Sequence, residues 1–123
     1  VNAAYVFRVR FRLAPAEGVR VDPREFETVL RLPAAEPGED GWLFFRDSLW
    51  RGNANDERHL RDRFEEALGV PVAGATFREL ETDEAYLDAL KSEIGRDLSR
   101  FNADDVAEVL HKYLGSSIRV TSS

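Results

Sequence analysis

Tyr5-Val-Phe-Arg-Val-Arg-Phe-Arg-Leu13 alternates without a break: Tyr5, Phe7, Val9, Phe11 and Leu13 fall on one side of an extended chain, and Val6, Arg8, Arg10 and Arg12 on the other. A period of two built from aromatic and β-branched residues marks a strand with one face buried and one solvated. A lone strand cannot bury a face, so the remaining chain must supply neighbouring strands and a second layer over the aromatic row.

Downstream, Ala14 to Pro23 reads as turn material. Asp22-Pro23-Arg24-Glu25 has the marks of a helix start: an acid at the cap, proline at the first helical position and Glu three residues after the cap. The apolar run Phe26-Glu-Thr-Val-Leu-Arg-Leu32 is short and stops at Pro33, so a helical turn followed by a second strand is expected. Pro37-Gly-Glu-Asp-Gly41 is a turn, and Trp42-Leu-Phe-Phe-Arg-Asp-Ser-Leu-Trp50, apolar on both sides, reads as a third, central strand. The period then changes. Asn55 is a candidate cap for a helix with a Leu60, Phe64, Ala67, Leu68 stripe, closed by Gly69 and Pro71. A strand over Ala75 to Leu80 follows, anchored by Phe77. Thr82 then opens a helix carrying Leu87, Leu90, Ile94, Leu98 and Phe101, interrupted at Gly95. Asn102 opens another with Val106, Val109, Leu110, Tyr113 and Leu114, ended by Gly115, and Ile118 to Val120 is an edge strand or a tail. The expected fold is α+β in the order β-β-β-α-β-α-α. It is a two-layer arrangement of a predominantly antiparallel sheet of about four strands with helices on one face, within one domain over residues 1–123.

Composition narrows the function classes. Acids number 23 and bases 17, and Lys91 and Lys112 are the only lysines; every other base is arginine. Carboxylates without lysine are expected of a surface adapted to salt, where the Debye length falls to about 3 Å at 1 M. A GC-rich genome, which also favours Arg and Ala, is the competing explanation. A chain of net charge −6 is a poor general binder of DNA or of an anionic membrane. No apolar run approaches the roughly 18 residues of a membrane span, and the N-terminal residues do not resemble a signal peptide, so a cytoplasmic setting is expected. The absence of cysteine removes disulfides, thiolate metal sites and thiol nucleophiles.

Motifs that carry chemistry are sparse. Glu108 and His111 form an E-x-x-H, and Asp56 and His59 a similar pair, but acids are everywhere in this chain and the solvated-helix reading outweighs a metal site. Gly52-Asn53-Ala54-Asn55 leads into a helix start, which capping explains without a phosphate. Asp104-Asp105 and Glu65-Glu66 read as solvated acid faces. No cofactor, metal or catalytic residue is expected, and an enzyme acting on a small anionic substrate, with Arg51 or the strand arginines as clamps, ranks last.

The informative constellation is the second face of the sheet. Arg8, Arg10 and Arg12 project together, Arg31 and Arg78 join them, and Trp42, Phe44, Arg46, Ser48 and Trp50 share one face of the third strand and are expected beside them. Arginines among aromatics suit a protein partner, most simply a second copy, or stacked RNA bases. An ordinary solvated face balanced by Glu27 and Glu79 is the alternative.

Three segments in order, Leu49-Trp50-Arg51-Gly52, Thr82-Asp-Glu-Ala-Tyr-Leu-Asp-Ala-Leu90 and Lys112-Tyr-Leu-Gly-Ser-Ser-Ile-Arg-Val120, resemble the LWR-salt proteins, small proteins of halophilic archaea. The resemblance implies a haloarchaeal cytoplasm and brings with it no activity and no catalytic residue. Leu49-Trp50-Arg51-Gly52 lies where the period switches from strand to helix. A structural role is expected, with Leu49 entering the core and Arg51 fixing the junction through a carboxylate or helix carbonyls.

Overall fold

A computed structural model describes residues 3–12 and 25–121. The alternating segment forms β1 (Ala3–Arg12) at the centre of a four-stranded sheet. It pairs antiparallel with β2 (Glu25–Pro33) on one side and with β5 (Val72–Thr82) on the other. β6 (Ile118–Val120) lies parallel to β5 at the far edge, giving the order β2-β1-β5-β6. A short hairpin of β3 (Leu49–Trp50) and β4 (Asn53–Ala54) stands apart from this sheet. The helices are α1 (Phe44–Ser48), α2 (Glu57–Leu68), α3 (Glu84–Gly95) and α4 (Val106–Leu114), with a 3-10 turn over Leu98–Phe101.

Side-chain alternation sorts the sheet into two unlike faces. Tyr5, Phe7 and Val9 are buried, and the cross-strand partners on their side are Leu32, Leu30 and Thr28 of β2 and Leu80, Phe77 and Ala75 of β5. The rings interlock: Phe7 meets Phe77 at 5.5 Å and Phe64 of α2 at 5.3 Å, both edge to face. Such pairs add about 0.5–1.5 kcal/mol beyond the area they bury. Leu60 of α2, Tyr86, Leu90 and Ile94 of α3, and Val109, Leu110, Tyr113 and Leu114 of α4 belong to the same core. All the long helices therefore pack on the aromatic side, and the fold is α+β as expected.

Local chemistry sets the ends of these helices. Asp56, Asp83 and Asp105 each accept the backbone N–H of the residue three positions on, at 3.1, 2.7 and 2.8 Å. Each cap supplies about 0.5–2 kcal/mol. The caps thus fall one residue after Asn55, one after Thr82 and three after Asn102, the positions expected from sequence. Asp outcompetes the neutral candidates because its carboxylate also meets the positive end of the helix dipole. The expected long helix breaks after Gly95, and Phe101 reaches the core from the 3-10 turn instead.

The third strand is the main correction. Residues 42–50 form a turn, the short helix α1 and the brief strand β3, not one extended segment. Trp42, Phe45 and Leu49, spaced by three and four, are the residues that become buried. An apolar run with polar residues on neither side consistently fits both periods, and here burial against α4 and the 3-10 turn selects the helical one. Phe45 stacks on Phe101 at 5.8 Å and meets Tyr113 at 5.8 Å. The helical turn expected at Asp22-Pro23 lies outside the described residues, as do Leu13 and the Ala14–Pro23 turn.

Candidate functional site

Two surfaces hold the residues singled out from sequence. The first is the face of the sheet away from the helices. Arg8, Arg10 and Arg12 are exposed there, and the register sets Val29, Glu27 and Glu25 of β2 opposite them. Ion pairs cross the strands: Arg8 Nε to Glu27 at 2.7 Å, Arg10 and Arg12 to Glu25 at 3.8 and 3.6 Å, Arg31 to Glu81 at 3.8 Å, and Arg119 of β6 to Glu79 at 3.7 Å. Exposed pairs of this kind contribute at most about 1 kcal/mol each, so the lattice is more a chemical surface than a source of stability. Arg78 is the extra residue where the β1–β5 register slips between Val6/Glu79 and Phe7/Phe77, and it is exposed with no carboxylate partner among the described residues. Arg10 crosses the ladder to Gly74: a Cβ there would stand 2.5 Å from the guanidinium, so glycine leaves the space into which Arg10 lies flat.

The aromatics expected on this face are elsewhere. Phe44 packs on the opposite side of the sheet, 4.6 Å from Tyr5 and 6.3 Å from Phe7. Trp42 is buried against Phe45 and Phe101 at 6.1 and 6.2 Å. Arg46 pairs with its neighbour Asp47 at 3.0 Å on α1, and Trp50 stands on the hairpin. The structure therefore brings together Arg8, Arg10, Arg12, Arg31 and Arg78, and separates them from Trp42, Phe44, Arg46 and Trp50. The cause is the helical turn at 44–48, which removes the alternation that grouped those rings.

The second surface is built by Leu49-Trp50-Arg51-Gly52. Leu49 is fully buried and Trp50 is 44% exposed. Arg51 and Gly52 both have positive φ, 51° and 80°, so they form the two-residue turn of type I′ that joins β3 to β4. The tip of this turn docks on the C-terminal end of α4. Arg51 N–H donates to Lys112 O at 2.8 Å and Gly52 N–H to Tyr113 O at 3.0 Å, while Gly115 and Ser117 N–H donate to His111 O and Leu114 O at 3.0 and 3.1 Å. Every carbonyl of the last helical turn thus has a donor, a demand that helix ends otherwise leave to water. It is the main chain of Arg51 that does this, and not its guanidinium as expected. The guanidinium lies 5.7 Å from the Trp50 ring centre, with Lys112 Nζ at 5.9 Å. Gly52 and Gly115 are needed for the approach: a Cβ on either would stand 3.2 Å from a carbonyl oxygen of the facing segment. Sequence reasoning missed this docking. The Gly52 signal was present, but Arg51 in place of the usual Asn or Asp hid the hairpin turn.

Between hairpin and helix lies a recess of about 630 Å³ lined by Trp50, Arg51, Glu108, His111, Lys112, Gly115 and Ser116. Lys112 is already engaged, donating to Phe101 O at 2.8 Å, and Glu108 accepts Asp104 N–H at 2.7 Å. Among the described residues no group of three or more His, Cys, Asp and Glu is placed to hold a metal ion, and His59 and His111 sit on different helices. No helix of the described residues is long and apolar enough to cross a membrane.

A two-layer α+β protein with one open, charged sheet face and a Leu-Trp-Arg-Gly hairpin docked on a helix end is the class these features define. The chain belongs to the LWR-salt protein family, whose family model matches residues 1–123. The family's description ties it to salt and names no activity. Comparison with curated proteins found no match, and comparison with solved structures found none.

Proposed function

We propose that this protein is a non-catalytic interaction module that meets an acidic protein partner through the open face of its sheet. The observation that carries the reading is the one-sided packing of the sheet. The helices cover the Tyr5–Phe7–Val9 side, and the other side presents Arg8, Arg10, Arg12, Arg31, Arg78 and Arg119 against Glu25, Glu27, Glu79 and Glu81. Arginines outnumber acids here on a chain that is acidic as a whole. Guanidinium forks pair with carboxylates bidentately and hold them where diffuse attraction is screened. A second copy facing the same surface fits less well, because arginine rows would oppose each other and the rings that were to anchor it lie in the core or on the hairpin.

Arg10 is the test position, since its side chain is 52% exposed and its pair with Glu25 is long. Affinity capture in molar KCl with wild type and Arg10→Glu side by side is expected to retain an acidic protein on the wild type and to lose about tenfold or more of it on the variant. Equal capture by both, or none by either, overturns the reading. RNA binding is the second reading, favoured by one observation: Trp50, 44% exposed, sits among Arg51, His111 and Lys112 in the recess, where a base could stack. RNA that co-purifies with wild type and is lost with Trp50→Ala supports that reading instead.

A further inference from the structure

β2 is an edge strand, with no strand paired on its outer side among the described residues. Its hydrogen-bonding sense follows from the ladder. Ala34 N–H donates to Ala3 O at 2.9 Å just past the paired region. Bonded pairs in an antiparallel ladder recur every second residue, so Leu32, Leu30, Thr28 and Phe26 bond to β1, while Arg31, Val29, Glu27 and Glu25 turn their N–H and C=O groups outward. Pro33 also falls at an outward position, where its missing N–H costs the ladder nothing. The edge carries the charges Glu25, Glu27 and Arg31 but no lysine, no internal proline and no slip in register from Glu25 to Pro33. Val29, at the midpoint of the strand, is 38% exposed, and Phe26, Leu30 and Leu32 are only half-buried.

We infer that β2 pairs antiparallel with β2 of a second copy about a two-fold axis at Val29, joining two sheets into one. The sequence of the strand is self-complementary in that register. Glu27 of each copy stands opposite Arg31 of the other, and Val29 faces its own counterpart. On the helix side Phe26 stands opposite Leu32, and Thr28 opposite Leu30. Opposite charges and apolar residues are the cross-strand pairs that stabilise a sheet, and a charge that would repel another partner here selects this one. The pairing uses the full length of the strand, satisfies the outward backbone groups and covers the half-buried apolar row. It relies on hydrogen bonds and apolar contact, which persist in concentrated salt. It also leaves the arginine face of each copy open, so two such faces lie side by side.

Sedimentation equilibrium in about 2 M KCl, where charge screening is essentially complete, tests the inference with the full chain. Wild type is expected at twice the mass of one chain. Val29→Pro removes an outward N–H that β1 does not use, so the monomer keeps its fold while the dissociation constant rises about tenfold or more. In about 0.15 M KCl, where the Debye length is about 8 Å and facing charges are still felt, Arg31→Glu is expected to weaken the dimer, and Glu27→Arg combined with Arg31→Glu to restore it. A monomeric wild type overturns the inference. So does a dimer that survives Val29→Pro with native circular dichroism, and, should that variant fail to fold, a charge swap that restores nothing. Arg10→Glu is expected to leave the dimer intact, which separates this interface from the partner face.

Discussion

Tyr86 shows how a single group ties the loop after β2 to the helical layer. Its hydroxyl donates to Ala35 O at 2.6 Å. Burial, and then the nearby Glu36 carboxylate, push its pKa up to about 12 from 10.0. Burial raises Tyr5 as well, and the neighbouring Tyr86 adds to that. An acid whose proton is held more tightly in the folded state stabilises that state fully below the unfolded value. The contribution is lost as pH rises through the folded value. Stability to urea is therefore expected to hold steady up to about pH 10 and to fall between about 10 and 12. Tyr86→Phe should cost about 1 kcal/mol at neutral pH, because Ala35 O loses its donor, and should make the alkaline decline shallower. A decline of unchanged steepness in that variant refutes the assignment to Tyr86.

At the scale of elements, the decisive contact joins the β3–β4 hairpin to the end of α4. Gly115 has φ 63° and faces Arg51 O, whereas Gly69, which ends α2 at φ 73°, has nothing within 4 Å of the Cβ it lacks. Alanine at Gly69 pays only for the left-handed backbone, about 1 kcal/mol. Gly115 has ψ −138°, outside the left-handed helical well that Gly69 occupies, so Gly115→Ala meets a larger backbone penalty and in addition pushes the hairpin off the helix, and a loss of about 2–3 kcal/mol is expected. Urea midpoints of the two variants compare the effects directly. Equal losses would refute both the larger backbone penalty at Gly115 and the hairpin's hold on α4.

For the whole molecule the governing quantity is charge. Acids exceed bases by six, and the arginines of the sheet face draw in only some of the glutamates. The surplus on the helices repels itself when unscreened. The thermal midpoint followed by circular dichroism is expected to rise by about 5 °C or more between dilute buffer and about 2 M KCl. An unchanged midpoint would show that the acid excess has no bearing on folding.

The sequence by itself determined the parts whose physics is local. Strict alternation over Tyr5–Phe11 defines β1 and its buried side, the stripe Leu60–Phe64 and the stripe Val106–Leu114 define α2 and α4, and glycines at 69 and 115 end them. The family was legible too, because three segments in order carry it. The arginines of β1 were legible as an exposed row for the same reason, although Val6 on their side of the strand is buried as well. Tertiary structure alone decided the form of residues 42–50. Their apolar residues satisfy both the strand and the helix period, and only the space left between α4, the 3-10 turn and Tyr5 selects the second. It alone placed Arg51 and Gly52 against the carbonyls of Lys112 and Tyr113, a contact between segments some sixty residues apart. No local preference encodes such a contact, because its partners are strangers until the chain has folded.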